Sequence, residues 1–152
     1  NGTVPFKGHG RRPPAACGAL AGMIYRAIQI TVLLLTAGTI LGALWADNAW
    51  GRFWGWDPKE NWALISLLAY AIILHTRYLG WSGDFGLAVA AVFGFTCILF
   101  TWYAVNFVLP SGLHSYGTGA GAGQWAVGGA VAAEWLFLLA AAARRRLEKE
   151  KP

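Results

Sequence analysis

Five of the nine tryptophans, Trp45, Trp50, Trp54, Trp56 and Trp62, fall within eighteen residues. Indole rings settle at the headgroup level of a bilayer, and such a belt accounts for two or three of them. Five, with Phe53 among them and Gly51 and Gly55 permitting close approach, would also make a flat aromatic platform for a large planar ligand. Composition leaves belt and platform level. His114 stands in a second segment, Leu113-His114-Ser115-Tyr116-Gly117, just past Pro110. A lone loop histidine is ordinarily a solvated side chain, yet beside an aromatic surface a neutral imidazole is what an iron porphyrin requires as an axial ligand. His75, two residues before Arg77, is an ionisable group in or near a membrane span and therefore a functional candidate. An interfacial histidine close to the headgroups explains it equally well.

The remaining polar residues admit plainer readings. Asp57-Pro58-Lys59-Glu60 has the order of an N-cap, a proline at the first helical position and a glutamate three residues on, which is a capping box. Capping suffices for Glu60, while Asp57 has room for capping and for a place in the ligand surface. Arg52 and Lys59 could face anionic groups of a ligand, although two basic residues beside a headgroup layer need no such reason. Cys17 and Cys97 are far apart and neither belongs to a Cys-x-x-Cys-His run, which excludes a c-type cytochrome with haem on its own thiols. Both read as small buried hydrophobes. The run from Gly117 to Gly123 lacks the Lys-Ser/Thr of a phosphate loop and reads as a flexible connection.

The elements that position these residues follow from the composition. The chain is 57% apolar and 12% charged, where soluble domains run at roughly 45–50% and about 25%. A bilayer is the implied solvent. Residues 1–19, rich in Pro, Gly, Lys and Arg, read as a basic arm. Ala27–Ala46 carries no formal charge over twenty residues, enough at about 1.5 Å per residue to cross roughly 30 Å of hydrocarbon. Three more helices are predicted: one from Pro58 to Arg77, one over Phe85–Leu109 closed by Pro110, and an Ala-rich one over Trp125–Ala143 interrupted by Glu134, a mid-membrane carboxyl with no assigned partner. Residues 144–152 form a basic tail. The fold class is thus all-α, a polytopic membrane protein of about four spans. With four spans, one face holds 10 of the 12 basic residues and is the cytoplasmic one. The opposite face holds Arg52, Lys59 and the loops 47–57 and 110–124. His75 lies roughly 21–26 Å along its helix from the outer end, so His75 and His114 cannot ligate one iron. The basic residues flank spans, which accounts for the net charge of +5 without nucleic acid. The chain begins at Asn1 with no leader-like stretch, which suggests a piece of a longer protein.

The run Trp50-Gly51-Arg52-Phe53-Trp54-Gly55-Trp56-Asp57-Pro58-Lys59-Glu60-Asn61-Trp62, continuing to Leu74-His75-Thr76-Arg77 and followed by Leu113-His114-Ser115-Tyr116-Gly117, resembles the WWD signature of the cytochrome c assembly family, closest to its CcsA (ResC) branch. The similarity covers about residues 20–140. The resemblance implies haem b, held without thioether bonds, as the bound cofactor. It assigns Trp50, Trp54, Trp56 and Asp57 to the haem surface, His114 to the second outer-face iron ligand and His75 to a ligand within the membrane. The family's first outer-face histidine has no counterpart here, since His9 lies in the arm assigned to the cytoplasmic side. The implied activity is haem transport and presentation for covalent attachment to apocytochrome c, as one component of a synthetase. The implied partners are the Cys-x-x-Cys-His segment of the apocytochrome and a second membrane subunit of the CcsB (ResB) type, in the bacterial inner membrane. A haem exporter that serves a chaperone is the alternative within the family, and a non-haem membrane scaffold the alternative outside it.

Overall fold

The computed structural model describes residues 15–108, 112–114 and 122–150. All regular elements among them are helical. Helix α1, Ala15–Trp50, has 36 residues, about 54 Å of axis at 1.5 Å per residue. It starts inside the predicted basic arm, so residues 15–19 are helix. Arg26 and Asp47, the charges that bound the apolar run, sit within the helix, because the pattern of formal charge marks the hydrocarbon-facing stretch and not the helix ends. The chain leaves α1 through Gly51, whose φ of +68° and N–H bond to Asp47 O at 2.8 Å form a left-handed C-terminal turn.

Helix α2, Pro58–Tyr78, opens with the predicted capping box and proline. At its other end Arg77 donates to Ser82 O at 2.9 Å and to Asp84 at 2.8 Å, closing the turn into α3, Asp84–Leu99. A π-helical stretch, Phe100–Ala104, and a short α4, Val105–Phe107, continue α3. The hydroxyl of Thr101, in the π stretch, lies 2.9 Å from the carbonyls of Trp62 and Cys97 and from the Ser66 hydroxyl. A side-chain bond of this kind across two helices replaces ladder bonds that the widened turn gives up, and in a membrane it is worth about 0.6–2 kcal/mol.

The core sits where α1, α2 and α3 meet, on Ala21 and Ile28, Tyr70 and Ile73, and Leu87. Gly94 makes the α2–α3 contact possible: a Cβ there would stand 2.7 Å from the Tyr70 ring. Small residues that let helices approach are the usual packing device where lipid removes the hydrophobic drive between helices. Outward faces stay apolar, with Leu33, Leu41 and Ile72 all exposed. Cys97 is buried as expected, whereas Cys17 is exposed on α1.

Helix α5, Ala122–Lys149, belongs to a second compact unit. It runs through Arg144-Arg145-Arg146, assigned by sequence to the tail, so those arginines continue a helix. Among the described residues, three stretches are long and apolar enough to cross a membrane: Cys17–Trp50, Asp84–Phe107 and Trp125–Glu148. Helix α2, read from sequence as the second of four spans, has the length but carries Lys59, Glu60 and Asn61 at one end and His75, Thr76 and Arg77 at the other. Those ends keep it out of the set. The arm with His9 and the glycine-rich connection around residue 119 lie outside the described residues.

Candidate ligand site at the start of α2

The capping box supplies the chemistry from which the site is built. One oxygen of Asp57, Oδ1, accepts the N–H groups of Lys59 at 3.1 Å and Glu60 at 3.0 Å, satisfying donors that a helix start leaves orphaned. Glu60 reaches back, its Oε2 accepting from Gly55 N at 2.6 Å and Asp57 N at 3.3 Å. Both carboxylates are buried, Asp57 at 7% and Glu60 at 8% exposure. Arg52 bridges the pair, its guanidinium nitrogens 3.6 Å from Asp57 and 3.5 Å from Glu60. Gly55 is needed for this: Arg52 Nη1 lies 1.0 Å from where a Gly55 Cβ would stand. The space predicted to admit a ligand at Gly55 is therefore filled by Arg52.

The other Asp57 oxygen, Oδ2, takes His114 Nδ1 at 2.5 Å, across 57 residues of sequence. Two neighbours hold the imidazole in this position. Trp50 meets the ring edge-on, centroids 4.6 Å apart and planes at 85°. Gly112, with φ of +83°, brings the loop so close to Asp57 that a Cβ would stand 2.7 Å from the Asp57 Cβ. Any other residue at 112 would be strained in backbone and would collide. Burial alone would raise the Asp57 carboxyl, but the bond from His114, the Glu60 N–H and the electrostatic pull of His114 and Arg52 outweigh it and hold the group below its ordinary value.

His114 lines a cavity of about 480 Å³ whose floor is α1, where Gly38, Gly42, Ala43 and Ala46 present little side chain. Leu34, Leu35 and Phe53 make it apolar, and Trp54, Lys59 and Glu60 stand at the end near the capping box. From Thr31 to Ala46, both in its lining, the cavity follows about 22 Å of helix. Trp54 is half-buried, and its buried Nε1 has no acceptor among the described residues. Lys59 Nζ donates to Asn106 Oδ1 at 3.4 Å, which ties the start of α2 to α4.

Asp57, Glu60 and His114 offer ligand atoms within 4.8 Å of one another, a spacing a metal ion could use. The Arg52 guanidinium already stands against both carboxylates, and a second cation there would meet its charge.

The sequence-predicted residues are thus partly gathered. Trp50, Trp54, Asp57 and His114 come together. The tryptophans pair edge to face, Trp45 with Trp50 at 4.9 Å and Trp54 with Trp56 at 5.9 Å. Trp56 is 68% exposed at a φ of +57°, an uncommon conformation for a bulky residue. Its carbonyl accepts from Asn61 Nδ2 at 3.0 Å. His75 stands apart at the far end of α2, about 22 Å from Glu60 by helix rise, exposed and bonded through Nδ1 to Ala71 O at 2.7 Å. Gly112 and the small-residue floor of α1 escaped sequence reasoning. The Pro110-Ser111-Gly112 turn composition was the available signal for the first.

Residues 15–114 match the family model described as "Cytochrome C assembly protein". Among curated proteins the chain is similar to "Cytochrome c biogenesis protein CcsA" of Prochlorococcus marinus (strain MIT 9303), 52% identical over 99 residues, which is 64% of this chain and 30% of that protein. The protein of the same name from Chlamydomonas reinhardtii is 48% identical over 99 residues, covering 64% of this chain and 28% of the relative. That from Cyanophora paradoxa is 50% identical, covering 64% and 30%. The chain therefore spans about a third of the length of these relatives.

Proposed function

The chain belongs to the cytochrome c assembly protein family, and from that premise we propose that it is the haem-presenting part of a cytochrome c synthetase, a membrane machine that attaches haem covalently to apocytochrome c. The observation that carries this reading is His114, set on the rim of an apolar cavity with its Nδ1 on a carboxylate and its ring against Trp50.

The residues fit haem by their chemistry. A histidine bonded through one nitrogen to a carboxylate is the usual form of an imidazole ligand to a metal. The α1 floor and Phe53 suit a porphyrin edge, while Lys59 and the Trp54 N–H suit its propionates. His114 binds the iron, Trp54 and Trp56 position the ring, and His75, on this reading, serves an earlier site at the other end of α2. Bound haem supplies the vinyl groups to which the two thiols of the Cys-x-x-Cys-His segment add. The protein's share is orientation and exclusion of water, and no side chain is needed as acid or base. The site faces outward from the bacterial inner membrane, and a second membrane subunit of the CcsB type completes the machine.

The test is expression of the full-length protein with a reporter cytochrome, measuring covalently attached haem. Trp56→Leu should lower it several-fold, while Trp125→Leu, on the exposed face of α5, should leave it near wild type. Equal loss in both, at equal protein level, would assign the tryptophans to an interfacial belt and the chain to a scaffold.

A further inference from the structure

Asp57 divides its two oxygens between two tasks. Oδ1 is held by two backbone N–H donors of the first turn of α2, and Oδ2 faces His114 Nδ1 and the Arg52 guanidinium. An ionised carboxylate only accepts, so the hydrogen between Asp57 and His114 resides on the imidazole. With the proton on Nδ1, the lone pair of a neutral ring is on Nε2.

We propose that Asp57 is the positioning residue of His114: through Oδ2 it fixes the Nδ1–H tautomer and the ring's direction, so that Nε2 is the nitrogen offered to iron. The ring is thereby registered against the helix start itself. A shift of α2 would carry Asp57, and the ligand with it. Glu60 Oε1, 3.8 Å from the same nitrogen, and the edge contact of Trp50 limit rotation about the bond. The inference rests on the haem reading above, but its first readout needs no haem.

Asp57→Asn tests it without removing the cap. The two N–H donors of Lys59 and Glu60 require the amide oxygen on their side, which turns the amide NH2 toward His114. A donor in that place makes Nδ1 the acceptor and moves the proton to Nε2, the wrong tautomer for a ligand. The full-length protein, purified haem-free in detergent with 15N-labelled histidine, should show the Nδ1–H form at His114 in the wild type and the Nε2–H form in Asp57→Asn. Haem retention should fall about 10–100-fold and recover with added imidazole, whose nitrogen does not depend on Asp57. Asp57→Ser keeps a capping oxygen but is too short to reach the ring, and should give mixed tautomers with an intermediate loss. This variant keeps the test alive if the amide variant fails to fold. Wild-type tautomer together with wild-type haem retention in both variants would overturn the proposal. A changed tautomer with unchanged haem retention would uphold the positioning role and remove His114 from the iron.

Discussion

At the residue scale the site turns on which atoms share Asp57. The capping box was legible because its parts lie three residues apart and its function is local. The pairing with His114 was not, because no periodicity links residues 57 apart; only the closeness of two loops on one face hinted at it. Acid should expose the arrangement. The Asp57 carboxyl is held below its ordinary value of 3.8, so its contribution to stability is fully present above that value and is lost as pH falls through the lower folded one. Thermal unfolding followed from about pH 5 down to about pH 2 should therefore show a decline that is smaller in Asp57→Asn, whose side chain does not titrate. An identical decline in both would place the acid sensitivity elsewhere. Gly112→Ala should move the ligand without touching it. The added Cβ meets Asp57 at 2.7 Å from a backbone at φ +83°, so the loop must retreat. Haem retention should drop at least several-fold while the far-ultraviolet circular dichroism stays unchanged.

At the element scale, the helices were readable from apolar runs and caps, and their ends less so. Formal charge stopped the prediction of α1 at Arg26 and Asp47 and of α5 at Arg144, although a helix continues through charged residues once they have reached the headgroups. The π-helical stretch at Thr101 had no signal, since it arises from a hydroxyl serving neighbours on two helices. Helix α1 has a structural task that its composition concealed: Gly38 and Gly42 have open space where a Cβ would stand because the cavity lies there. Gly42→Leu should fill that space, cutting haem binding at least tenfold while the helix keeps its place in the membrane, as Leu favours both helix and hydrocarbon. Binding of haem to the purified variant, by absorbance titration, is the measurement. Unchanged affinity would mean that the ligand does not lie on α1. Gly94→Ala acts elsewhere, driving a methyl into Tyr70, and should cost about 1–3 kcal/mol of stability with haem affinity changed less.

At the scale of the whole molecule, the matched 99 residues cover about 30% of the curated relatives. Residues 51–57 and 112–114 meet at one end of the α1–α2–α3 unit. On the four-span reading of the sequence, the 10-to-2 division of basic residues predicts that they face the outer side. Single cysteines at Ala49 and Glu148, in a cysteine-free full-length background, should be labelled on intact cells by an impermeant maleimide at 49 and protected at 148. The reverse pattern would invert the topology. The account stands most directly on His114 as an iron ligand, and the Soret spectrum of purified full-length His114→Ala measures that. It should show little bound haem, and added imidazole should restore the band, because the nitrogen it supplies replaces the one removed. A wild-type Soret band in His114→Ala without imidazole would contradict the account.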